Sequence, residues 1–138
     1  MFSVTHPALQ KWCSLLEHHD DAVLSEILAD DVVFLSPVVH TPQLGKKITH
    51  AYLTAANQVL NSGHFEYRRV FETEHGAVLE FDAKIGDTLV NGIDIISWNE
   101  AGLISEFKVM VRPLQAMQAL HAAMGEELNK LYGQRNAG

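Results

Sequence analysis

The sequence predicts an α+β fold in which helices and strands occupy separate parts of the chain. Apolar residues recur at helical spacing up to about residue 60, and they alternate with polar residues from there to about residue 112. A last amphipathic stretch follows Pro113. Because helices and strands are segregated rather than alternating, the pattern favours an antiparallel sheet packed against helices.

The first half of the chain is predicted to hold three helices and one short strand. Leu9, Trp12 and Leu15 recur on one face of the first helix, and the β-branched and aromatic run from Val32 to Leu35 is typical of a strand. The predicted elements are, in order, a helix over 6–19, a second helix that Asp20–Asp21 caps and Asp30–Asp31 ends, a strand over 32–35, a loop over the sheet at 38–45 and a third helix over 46–60.

The second half is predicted to form a four-stranded antiparallel meander and a closing helix. Arg69 breaks the alternation of the first strand and indicates a bulge. The predicted strands cover 64–74, 77–85, 90–98 and 103–113. The predicted apolar stripe of the closing helix contains Leu114, Met117, Leu120, Met124, Leu128 and Leu131.

One carboxylate, Asp94, stands in the middle of the third of these strands. Val90, Gly92 and Ile96 share its face, while Ile93 and Ile95 lie on the opposite face. Burying a charge there costs several kcal/mol unless it is paired or neutral. The sequence therefore leaves two interpretations of Asp94: a pocket acid with a raised pKa, or a structural carboxylate satisfied by a cation or by backbone amides.

Composition limits the function classes. The chain of 138 residues is expected to form one domain over 1–138, and its net charge of −7 without basic blocks argues against nucleic-acid binding. No apolar run is long enough for a membrane span, and no signal peptide is visible. The single cysteine, Cys13, fits a reducing cytoplasm, while the scattered histidines and missing phosphate-loop motifs predict neither metal nor cofactor.

Several short segments resemble the nuclear transport factor 2-like superfamily, and within it the SnoaL-like and ketosteroid isomerase-like branch. The resemblance covers roughly residues 6–113 and rests on the order and spacing of the segments 28–34, Ser36–Pro37, Gly45–Lys46, 92–98, 102–104 and 111–113. It implies a cystatin-like cone, in which a curved sheet wraps around helices to enclose an apolar pocket for a small hydrophobic molecule. Such domains are commonly homodimers, and the apolar Ile93 and Ile95 on the face opposite Asp94 predict that the interface covers the outer face of the sheet.

The resemblance implies roles for three positions. In the isomerases, a carboxylic acid kept neutral by apolar surroundings donates a hydrogen bond to the substrate oxyanion, and this known property of those enzymes is carried over to Asp94. Trp12 stands where they place a tyrosine donor, and Ser36 stands where they place the general-base aspartate. A serine without an activating partner is a poor base, so steroid isomerisation by that mechanism is disfavoured.

A further chemistry of the superfamily is also disfavoured. Its epoxide hydrolases need an arginine two residues before the aspartate; Gly92 stands at that position, and no Arg-x-Asp occurs in the chain.

Two function classes remain open. The first is an isomerase- or cyclase-type enzyme that uses Asp94 as acid, base or oxyanion donor, with His40 as a second catalytic candidate. The second is a non-catalytic ligand-binding or dimerisation module of the same fold. A protein-transport adaptor shares the superfamily name, but no sequence feature supports it. The candidate ligand-binding residues are Trp12, Phe34, Ser36, Tyr52, Phe81, Ile96 and Phe107.

Overall fold

The computed structural model describes the backbone of residues 3–136 and the side chains of residues 3–130. It is a mixed α+β structure, as the sequence predicts. Its elements are α1 (Pro7–Glu17), α2 (Asp21–Ile27), β1 (Leu28–Leu35), β2 (Gln43–Leu44), α3 (Lys46–Leu60), β3 (Phe65–Glu72), β4 (Gly76–Ile85), β5 (Thr88–Trp98), β6 (Ile104–Arg112) and α4 (Leu114–Asn136).

One open, curved sheet contains all six of these strands, in the order β2-β1-β6-β5-β4-β3. The strands from β3 to β6 form the predicted antiparallel meander, and β1 joins its far side parallel to β6. This order places β5 inside the sheet, with β4 and β6 as its neighbours. Side chains on the concave face of β5 therefore lie under the helices.

The first strand differs from its prediction. Helix α2 ends at Ile27, and β1 begins at Leu28, so Asp30 and Asp31 belong to the strand rather than to the end of the helix. The pairing of β1 with β6 is irregular between Leu28 and Val33, and the two aspartates in this irregular segment are exposed. A bulge thus allows two charged residues within a strand whose other side chains are largely buried.

Two further features of the sheet are clear from its pairing. The predicted loop over 38–45 contains a short strand, since Gln43 and Leu44 pair with β1. The predicted bulge is confirmed, because the register of β3 against β4 shifts between Tyr67 and Arg69. The shift matters for the pocket because it lets Phe65 and Tyr67 face the helices while Phe71 is 60% exposed.

Alternate residues of β5 are buried, as predicted. Gly92 is one of them, and its neighbours leave no space for a side chain. A Cβ atom at Gly92 would lie 2.5 Å from the ring of Phe81 and 2.7 Å from the carbonyl oxygen of Met110. Phe81 pairs with Gly92 across β4 and β5 and covers it. The concave face beside Asp94 is therefore closed by an aromatic ring and has no space for the arginine that epoxide hydrolases place there.

Helix α4 packs against α3 and the central strands. Leu120 and Met124 are buried, whereas Leu114 is 72% exposed and does not belong to the buried stripe. The side chain of Leu131, which the sequence assigns to that stripe, lies outside the described residues. Among the described residues, no helix is both long and apolar enough to cross a membrane.

Candidate functional site

An apolar pocket lies between the concave face of the sheet and the helices. Its apolar wall includes Leu16 of α1, Leu53 and Leu60 of α3, and Leu120 and Met124 of α4. The cavity has a volume of about 50 Å³, which is room for a few water molecules. Typical ligand pockets measure roughly 300–1,000 Å³, so a larger ligand requires these walls to move apart. The flexible side chain of Met124 is suited to such a change.

Three side chains from three different elements form a buried chain of hydrogen bonds at one wall of the pocket. Trp12 Nε1 on α1 donates to Tyr67 Oη on β3 over 2.9 Å. Tyr67 Oη in turn donates to Asp94 Oδ2 on β5 over 2.5 Å. All three residues line the pocket and are less than a tenth exposed.

The direction of these bonds follows from the chemistry of the donors. An indole N–H can only donate, so Tyr67 Oη must accept from Trp12. A tyrosine hydroxyl has one proton, and this proton points to Asp94 Oδ2. Asp94 is therefore held at one oxygen, and its second oxygen, Oδ1, has no hydrogen-bond partner among the described residues.

The surroundings of Asp94 disfavour its charge. Leu79 and Val109, the residues paired with it on the neighbouring strands, are buried and apolar. No cation contacts Asp94 within the described part of the chain; Arg112 instead donates to Asn91 over 3.5 Å. Burial raises the pKa of Asp94 from 3.8 to about 7, although the hydrogen bond from Tyr67 opposes this rise. Asp94 thus changes protonation state near neutral pH.

The two other titratable groups beside Asp94 stay protonated over the same range. Burial and then the charge of Asp94 raise the pKa of Tyr67 well above 10. Burial and, second, the charge of Asp94 raise the pKa of the Cys13 thiol to about 11. Asp94 is therefore the one pocket group, among those described, whose charge changes between about pH 5 and 9.

The structure brings together some of the residues that the sequence singles out. Asp94, Trp12, Phe34, Ser36 and Phe107 line the pocket. The remaining candidates lie in the protein core and are not part of the pocket wall; they are Tyr52, which packs on Phe34, and the fully buried Phe81 and Ile96. The sequence pattern indicates only that these three side chains face inward. Inward-facing side chains form the core as well as the pocket wall, so the pattern does not distinguish the two.

His40 is placed differently from its prediction. It is exposed and lies in a separate shallow depression with Pro42, Lys108 and Met110. The segment Ser36–Pro37 separates this depression from the pocket and borders both of them. His40, the second catalytic candidate, is therefore not part of the described pocket wall.

Ser36 lines the pocket, as the resemblance implies, but among the described residues it has no partner that would make it a base. Its Oγ accepts a hydrogen bond from the backbone amide of Val38 over 3.1 Å. Tyr67 and Asp94 are the only ionisable side chains on the described pocket wall. The hydroxyl of Ser36 can donate a hydrogen bond to a ligand, whereas proton abstraction would have to use Asp94.

Sequence reasoning missed Tyr67. It assigned the hydroxyl-donor position to Trp12, whose indole instead reaches Tyr67 and orients it. The available signal was the register of the meander: Tyr67 pairs with Phe81, and Phe81 pairs with Gly92, two residues before Asp94 on the same face. Tyr67 lies two strands from Asp94, so its long side chain crosses over β4 to reach the carboxyl group.

No group of three or more His, Cys, Asp or Glu side chains with the arrangement of a metal site occurs within the described residues.

Replacement of Asp94 by asparagine is expected to alter how stability depends on pH. Between pH 3.8 and about 7, folded Asp94 keeps a proton that the unfolded chain has lost, so the wild-type free energy of unfolding falls as pH rises. The Asp94→Asn variant does not show this loss. Its free energy of unfolding relative to that of wild type should therefore rise by on the order of 4 kcal/mol from pH 4 to pH 8. Urea unfolding at both pH values measures the difference.

The matched control for this experiment is Asp31→Asn, which changes an exposed carboxylate and should leave the pH dependence near that of wild type. Parallel stability curves for wild type and Asp94→Asn would contradict a raised pKa for Asp94.

Among the solved structures similar to this chain are two that share more than 30% sequence identity with it. A steroid delta-isomerase from Pseudomonas aeruginosa is 34% identical with a TM-score of 0.86, over 91% of this chain and 92% of that chain. A bacterial protein with a cystatin-like fold from Silicibacter pomeroyi DSS-3 is 32% identical with a TM-score of 0.82, over 88% of this chain and 85% of that chain.

A more distant structure shares the fold alone. It is a proposed SnoaL-like polyketide cyclase from Shewanella denitrificans OS-217, 17% identical with a TM-score of 0.61, over 84% of this chain and 95% of that chain. Comparison with curated proteins gives no match. The family model of the SnoaL-like domain matches residues 9–107, which is most of the chain. Together with the open, curved sheet packed against helices, this match shows that the chain belongs to the SnoaL-like domain family, whose fold is shared with isomerases and cyclases.

Proposed function

We propose that this protein binds a small apolar molecule whose carbonyl oxygen accepts a hydrogen bond from the protonated carboxyl group of Asp94. The observation that carries the proposal is the state of this carboxyl group: it is buried, no cation of the described residues contacts it, and Tyr67 occupies only one of its oxygens. The second oxygen can carry the proton and donate it to a ligand. The apolar wall of the pocket supplies the rest of the binding energy.

The same contact supports isomerase- or cyclase-type chemistry. A neutral acid that donates to a carbonyl oxygen stabilises the negative charge that develops there when a neighbouring C–H proton is removed. Because its pKa is about 7, Asp94 can also exchange a proton with the ligand near neutral pH. Steroid-like and polyketide-like ketones are the substrate classes that the solved neighbours suggest.

A non-catalytic binding protein is the second candidate, and one observation favours it. The described pocket wall has no base besides Asp94, since Ser36 lacks an activating partner. The two candidates differ in turnover: an enzyme would convert a β,γ-unsaturated ketosteroid into its conjugated isomer, which is seen as enone absorbance, whereas a binding protein would hold it unchanged.

The proposal also includes a homodimer and a cytoplasmic location. Phe71, Leu89 and Met110 are exposed by 60%, 68% and 49% on the outer side of the sheet, and Ile93 beside Met110 is half-buried there. Apolar side chains on an open sheet face are typical of a surface that another chain covers. The lone, half-buried thiol of Cys13 is compatible with a reducing compartment.

Ligand affinity is expected to fall as pH rises above about 7, because Asp94 loses the proton that it donates. With 4-androstene-3,17-dione as the probe, the dissociation constant at pH 8.5 should exceed that at pH 5.5 by roughly thirtyfold, the ratio of the protonated fractions for a pKa of about 7. Quenching of the fluorescence of Trp12, which lines the pocket, reports binding.

Two variants sharpen this binding experiment. Asp94→Asn keeps an N–H donor without a titrating proton, so its affinity should be independent of pH. Ala56→Phe places a ring in the pocket wall and should abolish binding while the fold persists. Binding by wild type that is equally tight at both pH values would argue against a protonated Asp94 as the donor.

The proposed dimer is tested by placing a charge in the outer face. Met110→Glu should convert a dimer to a monomer in light-scattering measurements, because a carboxylate buried in an apolar interface is strongly unfavourable. Leu44→Glu changes a more exposed residue, 73%, on the edge strand β2, two strands away from β6, and should leave the dimer intact. A wild-type protein that is monomeric at micromolar concentration would exclude the dimer.

A further inference from the structure

Helix α3 carries a polar side chain in the middle of the stripe that faces the pocket. Leu53, Ala56 and Leu60 are the apolar members of this stripe, and Asn57 lies among them at helical spacing. The Oδ1 atom of Asn57 is buried and has no hydrogen-bond partner among residues 3–130, whose side chains the structure describes. A buried acceptor without a partner is costly, so its presence on a pocket wall requires an explanation.

Two other polar residues, one of α3 and one directly after it, differ from Asn57 in their surroundings. Asn61, the residue directly after α3, also lines the pocket, but its Nδ2 donates to the carbonyl oxygen of Leu16 over 2.7 Å and so links the end of α3 to α1. Thr49 Oγ1 is the other partnerless buried atom among the described residues, but Thr49 is fully buried and is not part of the pocket wall. A ligand can therefore approach Asn57 and not Thr49.

We propose that Asn57 binds a hydroxyl group of the ligand. This inference rests on the proposed function and extends it, because it assigns the ligand two polar ends: a carbonyl oxygen at Asp94 on β5 and a hydroxyl group at Asn57 on α3. The ligand class is then an apolar hydroxyketone rather than a diketone.

The chemistry of the amide selects a hydroxyl group over a ketone. Oδ1 is an acceptor and needs a donor, which a hydroxyl group supplies and a ketone oxygen does not. A hydroxyl oxygen can in addition accept from Nδ2 of the same amide. A ketone at this position can accept from Nδ2 but leaves Oδ1 unpaired, and sites that leave a buried polar atom unpaired discriminate against such ligands.

A matched pair of steroids tests the inference. 17β-Hydroxy-4-androsten-3-one and 4-androstene-3,17-dione share the enone end and differ only in a hydroxyl or keto group at the far end. Wild type is expected to bind the hydroxyketone about tenfold more tightly at pH 5.5, the size typical of one additional neutral hydrogen bond. Asn57→Leu should remove this preference by weakening only the hydroxyketone.

Controls separate the possible results. Asn57→Ala provides a smaller replacement, and thermal unfolding verifies that both Asn57 variants fold. Thr49→Val removes the other partnerless atom and should retain the preference of wild type. Equal affinity of wild type for the two steroids, or a preference that survives in Asn57→Leu, would overturn the proposed role of Asn57 but not the proposed function. Failure of both steroids to bind would overturn the proposed function and this inference with it.

Discussion

The site depends on where a single proton lies. Trp12 can only donate to Tyr67, so the hydroxyl proton of Tyr67 is directed to Asp94. This arrangement holds one carboxyl oxygen and leaves the other for a ligand. It also ties α1, β3 and β5 together, so the same three side chains join the helices to the sheet and set the orientation of the acid.

The architecture of the sheet explains why the acid is neutral rather than paired. Asp94 lies on an interior strand, between the buried apolar residues Leu79 and Val109, and cations of the described sheet are on its outer face or edges. Arg68 and Arg69, for example, form ion pairs with Asp82 and Glu80. A polar pocket would have lowered the pKa of Asp94 and made it an ordinary carboxylate. The apolar wall that lines the proposed ligand site therefore also sets the protonation state of Asp94.

Periodicity predicted most of the fold, because the elements that it assigned are long and one-sided. The meander, the helix over 46–60 and the burial of Asp94 follow from patterns within single segments. The first strand was predicted too short, since Asp30 and Asp31 lie in a bulge, which a sequence pattern cannot distinguish from a helix end. Tyr67 was missed and His40 misplaced, because pocket membership depends on register across strands and on the path of a loop.

The proposed chemistry depends on the protonation state of Asp94, and this state can be measured without a ligand. The chemical shift of the Asp94 side-chain carboxyl carbon, followed by ¹³C NMR from pH 4 to pH 9 and assigned by its loss in Asp94→Asn, reports the titration directly. We expect a midpoint near pH 7, in line with a pKa of about 7 in the buried, cation-free pocket. A midpoint below pH 5 would show an ordinary carboxylate and contradict the account.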